Sequence, residues 1–179
     1  CSIINVKKVI NEVNYTTILK AVKNDTEVKN AYYAHLKDGI AVTKFIYWLK
    51  TNVGKIYIDE ITAADKLEEF RREQENFMGI SFETIAGYKE HGAIIHYSAT
   101  NESKIEVLPK SFLLVDSGGQ YLEGTTDITR TIILGKITEE EKRDYTLVLK
   151  GHISLATARF LKGTTGPNLD TLARKPLWN

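Results

Sequence analysis

Two apolar runs, SFLLVD at 111–116 and ITRTIIL at 128–134, flank a segment with three glycines, SGGQYLEGTTD. Short runs rich in β-branched and aromatic residues suit strands, and glycines between them suit a turn or bulge. The pattern predicts an antiparallel hairpin, which commits this part of the chain to a sheet. Asp116 and Asp127 fall on its two arms, eleven residues apart. If they sit directly opposite each other, the turn centres between Tyr121 and Leu122. Their Cβ atoms would then lie roughly 4.5–5.5 Å apart on one face. An ionised carboxylate on a strand that reads as buried is costly unless paired or metal-bound. Carboxylates that close share a proton or clamp cations, and two divalent ions about 3.5–4 Å apart fit one chelating and one bridging carboxylate. Strand alternation puts Thr129 and Thr131 on the face of Asp127, where a hydroxyl can orient a carboxylate. A plainer alternative stays open: Asp-Ser-Gly-Gly is a good turn sequence, and Asp116 can simply cap it.

The flanking segments set the fold class. Residues 2–20 read as a short strand and a connection. NDTEVKNAYYAHLKDGIAVTKFIYWLKTNV reads as a long helix capped near Asp25 or Thr26. Val28, Ala31, Tyr32, His35, Leu36, Gly39, Ile40, Val42, Thr43, Ile46, Tyr47 and Leu49 form its expected apolar face. ITAADKLEEFRREQEN reads as a second helix with Thr62 as N-cap, Asp65 completing a capping box, and Leu67, Phe70 and Gln74 facing inward. ISFETIAG and GAIIHYSA read as strands ahead of the hairpin. A helix follows over 137–161 with a Thr138–Glu141 capping box, and another starts near Pro167. Helices, then strands, then helices predict an α+β fold with helices on one side of an antiparallel sheet.

Composition removes several functions. The 179 residues suffice for one domain with a sizeable core. Lys and Arg number 24 against 23 Asp and Glu, so bulk charge gives no reason to bind nucleic acid or membrane. No apolar run approaches the roughly 18 residues needed to span a bilayer. The start, CSIINVKKVI, lacks the layout of a signal peptide, and a single cysteine, Cys1, fits a reducing, cytoplasmic compartment. Asn14, Asn24 and Asn101 match the glycosylation pattern and read as chance matches. With Met78 as its one methionine, the chain reads as cut at both ends.

The remaining chemical side chains read mostly as structural. His96 follows AII in an expected strand and is either a core histidine or a functional one. His35 reads as structural on the helix face, His91 as a loop residue, and His152 as packing or capping. Trp48 and Trp178 read as core or interdomain anchors. Arg130 is expected in a structural ion pair, and EEFRREQE and EEEKR as solvated helix faces. Cys1 has no base partner in sight.

VDSGGQYLEGTTDITRT closely resembles the stretch carrying the first two metal ligands of the pita-bread metallopeptidases, in particular the Xaa-Pro aminopeptidases. GAIIHY resembles their segment with a substrate-binding histidine, and AHLKDGIAVTKFIYWL, ITAADKLEEFRR and VLKGHISLATARF are similar to the cytosolic, long-form members. The resemblance implies a pita-bread fold in which 1–18 is the tail of a preceding domain or a linker and 19–179 is the first half of the catalytic domain. It implies two divalent ions, Mn²⁺ by preference, held by two Asp, one His and two Glu, with Asp116 chelating and Asp127 bridging. A water bridging the ions would attack the peptide bond before proline, and His96 would bind substrate or the developing oxyanion. Thr129 would support the carboxylates. The family's His and two Glu ligands have no match in this sequence, so the chain alone is expected to be inactive and to hold metal weakly or not at all. Expected partners are peptides with proline second, and a second copy of the full-length protein. Prolidase is the rival enzyme reading. The non-enzymatic rival is a pita-bread protein-binding module that has lost its ligands, which retention of both aspartates disfavours.

Overall fold

The structure, a computed structural model, describes residues 12–178. Three helices lead: α1 (Tyr15–Ala21), α2 (Asp25–Asn52) and α3 (Glu60–Arg72). Strands β1 (Phe77–Ile80) and β2 (Ile85–Tyr88) follow, then a 3₁₀ turn over Lys89–Ala93. The hairpin comprises β3 (Phe112–Ser117), β4 (Gly119–Tyr121), β5 (Gly124–Thr125) and β6 (Ile128–Ile133). Helices α4 (Glu139–Ala156) and α5 (Gly166–Arg174) close the chain and pack on each other. The expected α+β order is the observed one.

Local chemistry sets the helix starts. Asn14 caps α1 by accepting from the Thr16 N–H, so 15–20 are helical and not the expected strand and connection. Residues 2–11 of that stretch, like Cys1, lie outside the described residues. Asn24 caps α2 in a reciprocal box with Glu27, one residue ahead of the expected cap at Asp25 or Thr26. Asp59, not Thr62, caps α3; Thr62 is the returning member of that box. The Thr138–Glu141 box of α4 is present as expected, though the helix ends at Ala156.

The strands form one three-stranded antiparallel ribbon folded across a crease. On one side the order is β2-β3-β6, on the other β1-β4-β5. At the crease the ribbon has no room for a side chain: a Cβ on Gly118 would lie 2.0 Å from the Thr126 carbonyl oxygen. Ser81 closes the third edge, its N–H donating to Gly118 O and its hydroxyl to Thr126 O.

Alternation along β3 divides the ribbon into two faces. Leu113, Val115 and Ser117 are buried, while Phe112, Leu114 and Asp116 are partly open. The buried face meets α2 and α3 through Phe45, Leu49, Ala63 and Leu67. Helix α2 turns a different stripe inward than expected: Ala34, Asp38, Ala41, Val42, Phe45 and Leu49 are buried. Tyr32, Leu36, Ile40 and Tyr47 are exposed, the last 74% so. The helix carries apolar residues around most of its circumference, so periodicity alone could not choose between stripes.

A buried ion pair makes the choice. Arg71 Nε and Nη2 donate to Asp38 Oδ1 and Oδ2 at 2.6 and 3.1 Å, and both side chains are fully buried. Arg71 Nη2 also donates to Ser117 Oγ at 3.1 Å, and the Tyr121 hydroxyl donates to Asp38 Oδ1 at 3.0 Å. Burial, reinforced by the Asp38 charge, pushes the Tyr121 phenol above its usual range and keeps it a donor. EEFRREQE is therefore not a wholly solvated face: its Arg71 is the most deeply held cation among the described residues. A second tie joins α2 to the β4–β5 turn, where Lys37 Nζ meets Glu123 Oε1 at 2.6 Å and Asn76 Nδ2 donates to the same oxygen.

Removing one partner of a buried, bidentate pair strands the other charge, so Asp38→Ala or Arg71→Ala should cost about 3–5 kcal/mol of stability by urea denaturation. Hydrogen bonds from Lys37 and Asn76 hold the Glu123 carboxyl at about 2, below its ordinary 4.5. Its contribution is present above pH 4.5 and is lost as pH falls toward about 2. Thermal melts of the wild type and Glu123→Gln should therefore converge across that interval, and a gap that stays constant would count against the Lys37–Glu123 tie.

Candidate metal centre

Asp116 sits on the middle strand, one residue before Ser117 and on the opposite face from the ion pair that holds Ser117. Its cross-strand partner is Thr129, not Asp127. Thr129 Oγ1 donates to Asp116 Oδ1 at 2.7 Å. The second oxygen of Asp116 has no hydrogen bond among the described residues and faces the partly open side. The same register continues past the crease, with Gln120 opposite Thr125 and Tyr121 opposite Gly124, so the turn is Leu122–Glu123. The expected turn is thus displaced by one residue and Asp127 by two.

That displacement keeps the face and changes the spacing. Asp127 lies at the crease between β5 and β6, two residues before Thr129, and strand alternation carried one step past β6 keeps it on Thr129's side. It is not directly opposite Asp116, and it takes no part in the ladder on either side of the crease. Asp127 is exposed, without a hydrogen bond or ion pair among the described residues. The supposed cost of burying two facing carboxylates does not arise, because this side of the ribbon is open. Among the described residues no three His, Cys, Asp or Glu side chains gather as a metal cluster.

His96 is not on a strand. GAIIHYSA forms the end of the 3₁₀ turn and an exposed loop, with Ile95 87% exposed and His96 at a φ of 55°. The turn rests on the Asp116 face: Gly92 lies against Gly87, and a Cβ on it would lie 3.5 Å from Leu114 Cβ. Tyr97, next to His96, is buried and donates from its hydroxyl to Glu60 Oε2 at 2.8 Å. Burial pushes the Tyr97 phenol up, and the Glu60 charge adds to the effect.

Several expectations change at this level. His91 is not a free loop residue; its Nδ1 lies 2.9 Å from the buried Glu60 Oε1. His35 and His152 are exposed, and Arg130 donates to the Thr129 carbonyl without an acidic partner among the described residues. Trp48 packs on the core, whereas Trp178 is largely exposed. Asp59 and Glu60, the N-cap and first residue of α3, lie just ahead of the segment that reads as helix in the sequence. The available signal was an acidic pair ahead of a helical pattern, which marks an N-terminus.

The family profile of metallopeptidase family M24 matches residues 19–179, and the chain belongs to this family. The similar proteins include several named as Xaa-Pro aminopeptidases. A probable Xaa-Pro aminopeptidase P of Paracoccidioides brasiliensis is 49% identical over 161 residues, covering 89% of this chain and 26% of that protein. The Drosophila melanogaster Xaa-Pro aminopeptidase ApepP is 44% identical over 171 residues, covering 95% of this chain and 28% of its own. The X-prolyl aminopeptidase of Caenorhabditis elegans, described as a cytosolic enzyme with a di-nuclear active site, superposes with a TM-score of 0.91 at 36% identity, over 99% of this chain and 29% of that one. The chain thus spans about a quarter of the length of the curated relatives it matches, and its fold is the first part of the pita-bread architecture.

Glycine at 87 is what lets the turn reach this face. A Cβ there would lie 2.8 Å from Gly92 N and 2.9 Å from His91 C. Gly87→Ala should cost about 1–3 kcal/mol through overpacking against backbone, measured by denaturant midpoint, with Gly92→Ala milder.

Proposed function

We propose that this chain carries part of the active site of a metal-dependent aminopeptidase that releases the residue before proline from peptides. Asp116 and Asp127 supply its carboxylates to two divalent ions, and His96 binds the substrate. One observation carries the reading: Thr129 donates to one oxygen of Asp116, the other has no partner among the described residues, and Asp127 lies exposed and unpaired two residues before Thr129. An all-carboxylate contribution suits hard ions such as Mn²⁺. Bound ions of this kind supply a water that is nucleophilic at neutral pH.

The chain's own residues then have distinct tasks. Thr129, by donating to Oδ1, holds the Asp116 carboxylate in one orientation. Asp127, unpaired at the crease, stays free to turn toward a second ion. His96, exposed on the loop, can donate to a substrate carbonyl or to the charge that develops on it. A cytoplasmic setting belongs to the same reading, supported by the description of the C. elegans neighbour.

In the intact protein, Asp127→Asn should abolish hydrolysis of Xaa-Pro-Yaa peptides and lower bound metal measured by elemental analysis. Thr129→Val should weaken metal binding by about 10-fold or more through loss of carboxylate orientation. The 179-residue chain by itself, with two carboxylates to offer, should bind Mn²⁺ no tighter than about 10⁻⁴ M by calorimetry. An intact protein that is metal-free and inactive toward Xaa-Pro-Yaa peptides would sink the reading in favour of a binding module. Preference for Xaa-Pro dipeptides would redirect it to prolidase.

A further inference from the structure

Glu60, the first residue of α3, is fully buried, and its carboxylate meets four groups of one long segment. Oε1 accepts from the Tyr88 N–H at 2.8 Å, and His91 Nδ1 lies 2.9 and 3.0 Å from Oε1 and Oε2. Oε2 accepts from the Tyr97 hydroxyl at 2.8 Å and the Ile105 N–H at 3.2 Å. These groups mark where the chain leaves β2, two points along the excursion, and the way back toward β3. A buried carboxylate persists only when its lone pairs are filled. Here all the donors come from the excursion, so the carboxylate fixes its shape.

The excursion between the two side-chain pins is the part that carries His96. The His91 and Tyr97 rings pack on each other at 4.4 Å between centroids. Between them residues 93–96 are exposed. Gly92 rests over Gly87 toward Leu114, which shares its face with Asp116. His96 takes a left-handed backbone, φ 55°, that a non-glycine residue holds only when its surroundings impose it. His96 is the third residue of a turn closed by the Tyr97 N–H donating to Ile94 O at 3.2 Å, and the Tyr97 hydroxyl anchors the end of that turn on Glu60.

We infer that Glu60 is a positioning residue for His96: its carboxylate pins His91 and Tyr97 and so fixes the exposed turn that bears the histidine and that starts, at Gly92, on the Asp116 face of the ribbon. The inference rests on the aminopeptidase reading, in which His96 touches the substrate. Glu60 itself touches no substrate and acts through Tyr97.

The test is a double-mutant cycle in the intact, metal-loaded protein, with a Xaa-Pro-Yaa peptide as probe. Tyr97→Phe keeps the ring against His91 and removes only the hydroxyl, and Glu60→Gln keeps the shape and removes the charge. Each should lower kcat/KM by about tenfold when His96 is present and by less than about twofold in the His96→Ala background. Bound metal should be unchanged in every variant, and Glu60→Asp should restore less than full activity because its shorter arm cannot reach all four groups. If Glu60→Gln fails to fold, Tyr97→Phe carries the cycle alone. Losses that multiply with that of His96→Ala, or unchanged kinetics in Tyr97→Phe, would overturn the inference while leaving the aminopeptidase reading intact. A wild-type protein without Xaa-Pro activity overturns that reading first, and this inference with it.

Discussion

The buried Asp38–Arg71 pair is the contact on which the rest of the arrangement depends. It joins α2 to α3, and through Ser117 and Tyr121 it grips the middle strand on both sides of the crease. Two charges at full burial are held in place by a bidentate geometry and by the added hydroxyls, and neither partner has an alternative once the other is removed. The pair therefore selects which side of α2 faces the sheet and where the ribbon bends. Asp116 is one residue from that grip and points the other way, so its position is inherited from the clamp beneath it.

The two faces of the ribbon divide stability from chemistry. The covered face buries Leu113, Val115 and Ile132 against Phe45, Leu49 and Leu67. The other carries Asp116, Thr129 and Thr131, with the turn at Gly92 against Leu114 and Tyr145 of α4 stacked on Phe112. On it Asp116 has one oxygen bonded to Thr129 and one without a partner among the described residues. A second buried carboxylate, Glu60, has the reverse character: every donor around it is protein, and its effect is to shape the loop that ends at His96.

Much of this was legible along the chain. The hairpin, the capping box at Thr138, the long second helix and the presence of Thr129 on the Asp116 face all follow from period, turn residues and capping chemistry. Other parts were not. The expected pairing of Asp116 with Asp127 failed by two residues because glycine-bearing turns admit several registers, and a shift of two leaves every side chain on its original face. The apolar stripe of α2 was misplaced because Tyr32, Leu36, Ile40 and Tyr47 repeat as regularly as the residues that are buried. GAIIHYSA is apolar enough for a strand, yet it is a loop because His91 and Tyr97 are drawn to Glu60 from more than thirty positions earlier in the chain.

By itself, the sequence determined the helix–strand–helix order, the Thr138–Glu141 capping box and the hairpin that carries the two aspartates, because those depend on neighbours a few residues apart. Only the tertiary structure decided the register at Asp116, the inward face of α2 and the seat of His96. Each of these rests on a buried charge finding its partner across the fold: Arg71 for Asp38, and Tyr97 and His91 for Glu60. Such pairings are set by distance in space, and local pattern carries no record of them.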